Sequence, residues 1–585
     1  MFSAVSLRAR RAKQSLKRLL RRFFPRNDTN LGNPMSPNNK INKLIIAACV
    51  LLTFPLCIHL FQNHLVKGHD SLQGLIMAIY MEKFTGDGGQ FLIRWASDVN
   101  YGYGYPMFNF YMPFFYLFSV GISLFTHDVI LGINLSCVFF WIISGVGMYI
   151  LAKEFWGPAG GFVSAIAYLY APYHIQDLYV RGAFPEFSAF AYFPIILFAF
   201  FKLNQKIQKR FIALAVISCF LLWVTHSLMG MLFYPLVICY LAFLFMFNKN
   251  LSALWLSFIA LCLGFLMATF YWLPATWDQR YLNLAFFVSM RNDFHKNFIS
   301  VGQLFHLPWG QVADSDGISF QVGLMHVFLI LLPLFFISKI FFKNKKASRQ
   351  YGFFFIVTLI TMFFTLSPSA LLWEHISFLK LVQLPWRFLA IIAFTTSLLS
   401  GSLALILKQK IASNTFAILA VIGIIACSAR FMTQESFINV DQKTLSNNLG
   451  SYLTLGEGRT TPKWIKTPPL SFPKQKFEFV QGEGIILEDK IVSSIEHIAH
   501  VEAIQPSLIC FHSFYFPGWR VYVDGKETQI FPDNPYGIIL FAVNSGEHSI
   551  RVVFGQTHVR LLAVIISWLA FLIFTVWMCF YSPSK

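Results

Sequence analysis

The sequence predicts an all-α polytopic membrane domain of about twelve transmembrane helices, an extracytoplasmic β-rich C-terminal domain and a final transmembrane helix. Three observations carry this expectation. The 585-residue chain is 56% hydrophobic and only 12% charged, where a soluble domain carries about 25% charged residues; its mean hydropathy is +0.58. Apolar runs of roughly 20 residues, long enough to span a bilayer, recur along most of the length. One long polar stretch, 430–556, breaks the pattern near the end and alternates like strands.

Residues 1–43 hold eleven Arg and Lys against one acid, Asp28. Nucleic-acid binding, a transit peptide, a signal peptide or a cytoplasmic tail could explain such a run. The apolar run Leu44–Phe61 follows directly with no small-residue cleavage site, so the run is read as a basic cytoplasmic tail. The membrane domain is 44–429, with a first outer loop at 62–128. After that loop the expected spans are Val129–Leu151, Ala159–Tyr173, Phe187–Phe201, Phe211–Thr225, Leu228–Phe247, Leu251–Trp272, Ser319–Ile340, Tyr351–Leu366, Phe388–Leu407 and Ala412–Ala429. Residues 557–585 form the last helix and a short tail.

Topology turns on Phe114–Phe125. If it crosses, the basic loops Lys202–Arg210 and Lys343–Arg349 face outside. If it only dips into the outer leaflet, they face the cytoplasm, as do Lys153, Lys249 and Lys408–Lys410. The positive-inside rule selects the dip. The acids agree: of 27 Asp and Glu, only Asp28 and Glu154 then fall inside. The functional face is the outer one.

Within 430–556, Trp519–Val523 and Lys526–Phe531 flank an Asp524-Gly525 hairpin turn. Ile538–Val543 and His548–Phe554 around Asn544-Ser-Gly546 read as a second hairpin. Gln434–Pro473 reads as irregular. The nine cysteines form no CxxC or Cys/His spacing and read as small core residues. No nucleotide loop or GxSxG elbow is present. No span after the first loop carries Asp, Glu, Lys or Arg in its middle, and His326 is the one titratable group well inside, which weighs against ion-coupled transport.

The polar chemistry collects in the outer loops. Asp70, beside His69 and just past the first span, suits a general base; a solvated loop acid or a cap on a helix over Ser71–Lys83 is the alternative. Arg94 suits phosphate, and Trp95, Tyr101, Tyr103 and Tyr105 could stack on sugars, with Asp98 between; an interfacial aromatic belt is the alternative. Asp177, Arg181 and Glu186 share one loop, and Arg387 sits where a helix meets the outer surface, at lipid-phosphate depth. Snorkelling or surface ion pairs would also explain them. Asp278, Arg280 and Tyr281 lie in a further outer loop.

His69-Asp70, Arg94-Trp-Ala-Ser-Asp98, Asn100-Tyr-Gly-Tyr-Gly-Tyr-Pro106, Tyr179-Val-Arg-Gly-Ala-Phe-Pro-Glu186, Thr225-His-Ser227 and Leu384-Pro-Trp-Arg-Phe388 resemble the GT-C class of membrane glycosyltransferases. Within it they resemble the bacterial 6-pyruvoyl-tetrahydropterin synthase-related and YfhO-like membrane proteins. Phe516-Pro-Gly-Trp519, Val523-Asp-Gly-Lys526 and Gly546-Glu-His548 are similar to the YfhO-like C-terminal domain. The resemblance implies inverting transfer of a sugar from a polyprenyl-phosphate-linked donor to a glycan, lipid or protein acceptor, at the outer face of the cell (inner) membrane. It implies Asp70 as base, and the mechanism expected here puts Arg94, Arg181 and Arg387 on the leaving lipid phosphate. Asp98, Asp177 and Glu186 would orient the acceptor or a metal, with His69, Trp95 and Tyr103 also at the substrate. Many members carry two adjacent acids where this chain has His69-Asp70, so the metal is unknown and a divalent cation stays open. No zinc-binding histidine cluster accompanies the pterin label. A lipid or polysaccharide transporter (flippase) and a non-catalytic cell-envelope scaffold are the alternatives; no nucleic-acid partner is expected.

Overall fold

The computed structural model describes residues 37–86, 94–283, 293–305, 318–336, 344–405, 409–429 and 461–581, with 407, 437–438, 440–442 and 445 between them. Among these residues, eight helices are long and apolar enough to cross a membrane. A ninth is reached if Leu251–Met267 and Thr269–Tyr281, bent by 63°, form one span. The protein is an integral multi-pass membrane protein.

The difference from about twelve expected spans has a local cause. Val129–Tyr179 is a single 51-residue stretch by length and composition; straight, it would run roughly 75 Å, far beyond a bilayer core of about 30 Å. It is not straight. Gly157 takes φ 76°, ψ 178°, and Pro158 begins the next helical arm. The arms fold back on each other: the Trp141 indole N–H donates to the Leu169 carbonyl at 3.1 Å, and a Cβ on Gly145 would come within 2.7 Å of Leu169. The turn therefore separates the expected spans Val129–Leu151 and Ala159–Tyr173. Lys209–Thr225 has 17 residues, and Leu324–Phe335 is also a shorter apolar helix. His326 is a satisfied core residue, its Nε2 2.8 Å from the Ala167 carbonyl oxygen.

Phe114–Thr126 is a 13-residue helix, too short to cross alone. Asp70, before it, lines the same cavity as Arg181 and Arg387, after it. These three residues therefore meet at one end of the helices.

The polar region is a two-sheet β structure. Its strands are β1 (Phe477–Gln481), β2 (Gly484–Ser493), β3 (Glu496–Ala503), β4 (Ser507–Phe514), β5 (Trp519–Val523), β6 (Lys526–Thr528), β7 (Ile538–Val543) and β8 (Gly546–Phe554). One sheet runs β6-β5-β8-β3-β2 and the other β7-β4-β1. Alternate residues of each point into one core: Val501, Val521, Ile550 and Val552 from the first, Phe477, Ile509, Ile539 and Phe541 from the second. β5 and β6 form the expected hairpin, Val523 opposite Lys526, with Asp524 at φ 51° and Gly525 at φ 79°. The second expected hairpin is corrected. β7 pairs β4, whereas β8 pairs β3 and β5. Asn544-Ser-Gly546 turns the chain from one sheet to the other, because Phe541 and Ile550 each bury a face against the opposite sheet. The final helix His558–Phe580 follows.

Candidate active site

The cavity is built where two stretches of backbone meet. The main-chain N–H of His69 donates to the Val180 carbonyl at 3.1 Å and that of Asp70 to the Arg181 carbonyl at 2.7 Å. This contact needs glycine on both sides. A Cβ on Gly68 would lie 2.5 Å from the Gly182 nitrogen, and one on Gly182, at φ +63°, 2.0 Å from Ser71 Oγ. The two glycines thus hold the His69-Asp70 turn beside Arg181.

Around it lies a cavity of about 640 Å³, lined by His69, Asp70, Arg181, Glu186, His226, Lys296, Trp386 and Arg387 among others. Seven separate chain segments contribute, and all lie in or beside expected outer loops. Asp70 is exposed. Its carbonyl accepts the first helical bond, from Gly74 N–H at 2.9 Å. Among the described residues no hydrogen bond or ion pair engages its carboxylate, so it does not cap the helix Ser71–Gly86.

The two cavity arginines differ. Arg181 pairs with Asp177 and with Glu186 at 2.9 Å, and lies 4.8 Å over the Trp386 ring. Burial disfavours its cation, but Glu186, Tyr173 and Asp177 outweigh burial and hold it charged. Arg387 has no carboxylate partner among the described residues. Its Nη1 donates to the Val382 carbonyl at 2.9 Å and to Gln383 Oε1 at 3.0 Å, and its Nε is buried without a partner. Asp177 and Glu186 thus flank Arg181, whereas among the described residues no acid pairs with Arg387.

Glu186 also accepts from the Tyr173 hydroxyl at 2.7 Å and lies 3.9 Å from His226 Nε2. His226 Nδ1 accepts from Met229 N–H at 3.1 Å, which assigns the neutral imidazole proton to Nε2, facing Glu186. His226 and Lys296 are cavity residues that motif reasoning did not select. Thr225-His-Ser227 marked the first; nothing local marks the second. Asp177 is fully buried behind Arg181, with Oδ2 unpartnered.

Four expected substrate residues lie elsewhere. The Arg94 guanidinium donates to Asn109 Oδ1 at 2.8 Å and to the Phe270 carbonyl at 2.7 Å. Asn109 Nδ2 donates to Asp278 Oδ2 at 2.8 Å, which also accepts from Arg560 Nη2 at 2.9 Å. Burial, then the nearby Arg560 charge, lower Arg94 to about 10 against the pull of Asp278. Trp95 packs edge-on to Trp519 at 5.4 Å and against Phe554 at 5.2 Å. Tyr103 stacks on Phe514 at 5.4 Å, and its carbonyl accepts from Phe514 N–H at 2.8 Å. Asp98 pairs with Lys83. Trp95 and Tyr103 dock this loop onto the β structure, Arg94 ties it to the helix that carries Phe270, and Asp98 pairs within the loop. Arg280 lies 3.9 Å over Trp277.

Among the described residues no three His, Cys, Asp or Glu side chains gather to hold a metal ion.

No curated protein matches the chain. Among solved structures, the Archaeoglobus fulgidus oligosaccharyltransferase in its apo form is similar at 13% identity and TM-score 0.43, covering 74% of this chain and 62% of that one. The same organism's oligosaccharyltransferase AglB, in complex with an inhibitory peptide and a dolichol-phosphate, is similar at 13% identity and TM-score 0.45, covering 74% and 61%. The arabinofuranosyltransferase AftD from Mycobacteria is similar at 14% identity and TM-score 0.45, covering 71% and 28%. At these scores, activity and substrates have to be argued from the chain's own residues. Residues 108–434, more than half of the chain, match a family described as 6-pyruvoyl-tetrahydropterin synthase related domain, membrane protein, and the chain belongs to that family.

Proposed function

We propose that the protein is an inverting membrane glycosyltransferase that moves a sugar from a polyprenyl-phosphate-linked donor to a cell-envelope acceptor on the outer face of the membrane. The observation that carries this reading is the cavity. It sets an unpartnered carboxylate, Asp70, and a cation with no acid partner, Arg387, at one end of a helical bundle. That end is reached by lipid headgroups if the basic loops face the cytoplasm. The sequence resemblance to the GT-C class points the same way. Twelve crossings are reached by counting both arms of the Gly157 hairpin, the bent helix and the shorter helices Lys209–Thr225 and Leu324–Phe335.

In the proposed reaction the acceptor hydroxyl gives its proton to Asp70 as its oxygen bonds to the anomeric carbon. The bond from that carbon to the lipid phosphate breaks, and the electron pair leaves on the phosphate oxygen. Arg387 meets the developing charge with a planar fork of donors. Arg181, paired with Asp177 and Glu186, orients Trp386 and the Asp70 turn. Arg94, Trp95, Asp98 and Tyr103 fix the loop, and the β structure caps it. No step runs through a metal.

The test is transfer by the purified full-length protein in proteoliposomes, supplied with radiolabelled polyprenyl-phosphate-linked sugars and extracted envelope acceptors. The expected result is label moving from lipid to acceptor. Flipping of the labelled lipid with no transfer would favour a transporter and overturn the reading.

A further inference from the structure

We propose that the opposite end of the bundle carries a second binding site, in which Lys346, Arg349 and a cluster of side-chain amides hold the phosphodiester headgroup of an anionic lipid. The site is independent of the transfer chemistry. It is a cavity of about 360 Å³, with Asn204, Gln205, Asn248, Lys346, Arg349 and Gln350 as its polar lining. Asn204 ends the helix that starts near Glu186, and Asn248 ends the helix that starts beside His226. Both helices run away from the Asp70 cavity, so this site lies a helix length from it.

Everything polar here is a donor, an amide or a cation; no carboxylate lines the cavity. Lys346 and Arg349 make no ion pair among the described residues. The Lys346 ammonium sits 5.0 Å over Phe201, and the Arg349 guanidinium 4.0 Å over Phe247. A guanidinium lying on a ring keeps its N–H edges free for an anion. Asn204, 4% exposed, uses Oδ1 to accept from Asn248 Nδ2 at 2.6 Å. Its own Nδ2 is buried with no partner, a donor that costs stability while unsatisfied. Lys345, Lys346 and Arg349 also crowd the first turns of the helix Lys345–Thr365, which has no acid in its first turn. Cations at the positive end of a helix dipole are unfavourable unless an anion joins them.

Phosphate satisfies all three features: two unpaired cations, an orphan amide and a positive helix end. The lipid source is favoured because the cavity opens beside apolar surface. Phe247, 43% exposed, lines it, and the adjacent Met246 is 62% exposed. Acyl chains cover such surface in a membrane, whereas a soluble phosphate would leave it bare.

The experiment is native mass spectrometry of the full-length protein with phosphatidylglycerol or phosphatidylcholine, beside thermal unfolding with inorganic phosphate. Wild type should retain phosphatidylglycerol in preference to phosphatidylcholine. A Lys346→Gln/Arg349→Gln double variant should bind it roughly tenfold or more weakly, the scale of losing charge-assisted contacts. Arg349→Lys, which keeps the charge and loses the fork, should fall between them. Equal retention of the two lipids, or equal retention by wild type and the double variant, overturns the site. Thermal protection by inorganic phosphate without phosphatidylglycerol retention overturns the lipid source.

Discussion

Arg181 and Arg387 look alike in sequence, each an arginine in an outer loop, and the structure separates them by their partners. Arg181 is held by Asp177 and Glu186, whereas Arg387 is held by a carbonyl and an amide. Arg387→Lys keeps the charge and loses the planar fork. Transfer should fall roughly tenfold to a hundredfold, the worth of one or two hydrogen bonds to a charged group, and Arg387→Ala should fall further. Wild-type rates in both variants would make Arg387 an interface anchor. That Arg181, Glu186 and Arg387 converge was legible, because each loop ends between apolar runs on one side of the membrane. That Asp177 stands four residues before Arg181, a helical ion-pair spacing, hinted at which arginine is paired; that Arg387 meets no acid among the described residues was not legible, because it depends on which distant loops pack beside it.

The first outer loop shows where reading by residue type stops. Glycine and tyrosine in a polar loop suit a sugar platform, and the same residues suit a buried knob. Trp95 and Tyr103 meet partners more than 400 positions away, Trp519 and Phe514, and no local pattern encodes such a pairing. Likewise β5 and β6 were legible through Asp524-Gly525, while β1 to β4 were not assigned from sequence and β7 and β8 were given the wrong partners. A turn signal marks a reversal; the core decides which sheet receives it. The buried chain Arg94–Asn109–Asp278–Arg560 then ties this loop to the final helix. Arg560→Met removes the cation and leaves the Asp278 carboxylate buried, a loss of about 3–5 kcal/mol. Thermal unfolding in detergent should show a clear drop in Tm, and Asp278→Asn added to it should restore part of the loss. An unchanged Tm in Arg560→Met would mean that the pair holds nothing together.

At the scale of the whole molecule, two sets of residues lie at two ends. Asp70, Arg181, His226, Lys296 and Arg387 share one cavity. Glu154 pairs with Lys202 at 3.1 Å, and Lys346 meets Phe201, at the other. The expected inside and outside loops sort the same way. A reporter fused after Lys206 should therefore read cytoplasmic and one after Asp293 outside; the reverse pair would place the Asp70 cavity in the wrong compartment. Asp70 depends on more than one level of this organisation: the Gly68–Gly182 contact sets its turn, and the backbone bonds from His69 and Asp70 to Val180 and Arg181 keep it beside Arg181. Asp70→Asn keeps the shape and removes the base. Its Tm should match wild type, since the carboxylate makes no contact that amide loses. Sugar transfer from the lipid-linked donor, measured side by side for the two purified proteins, should fall by roughly a hundredfold or more with donor binding little changed. A well-folded Asp70→Asn protein that transfers sugar at the wild-type rate would contradict Asp70 as the base.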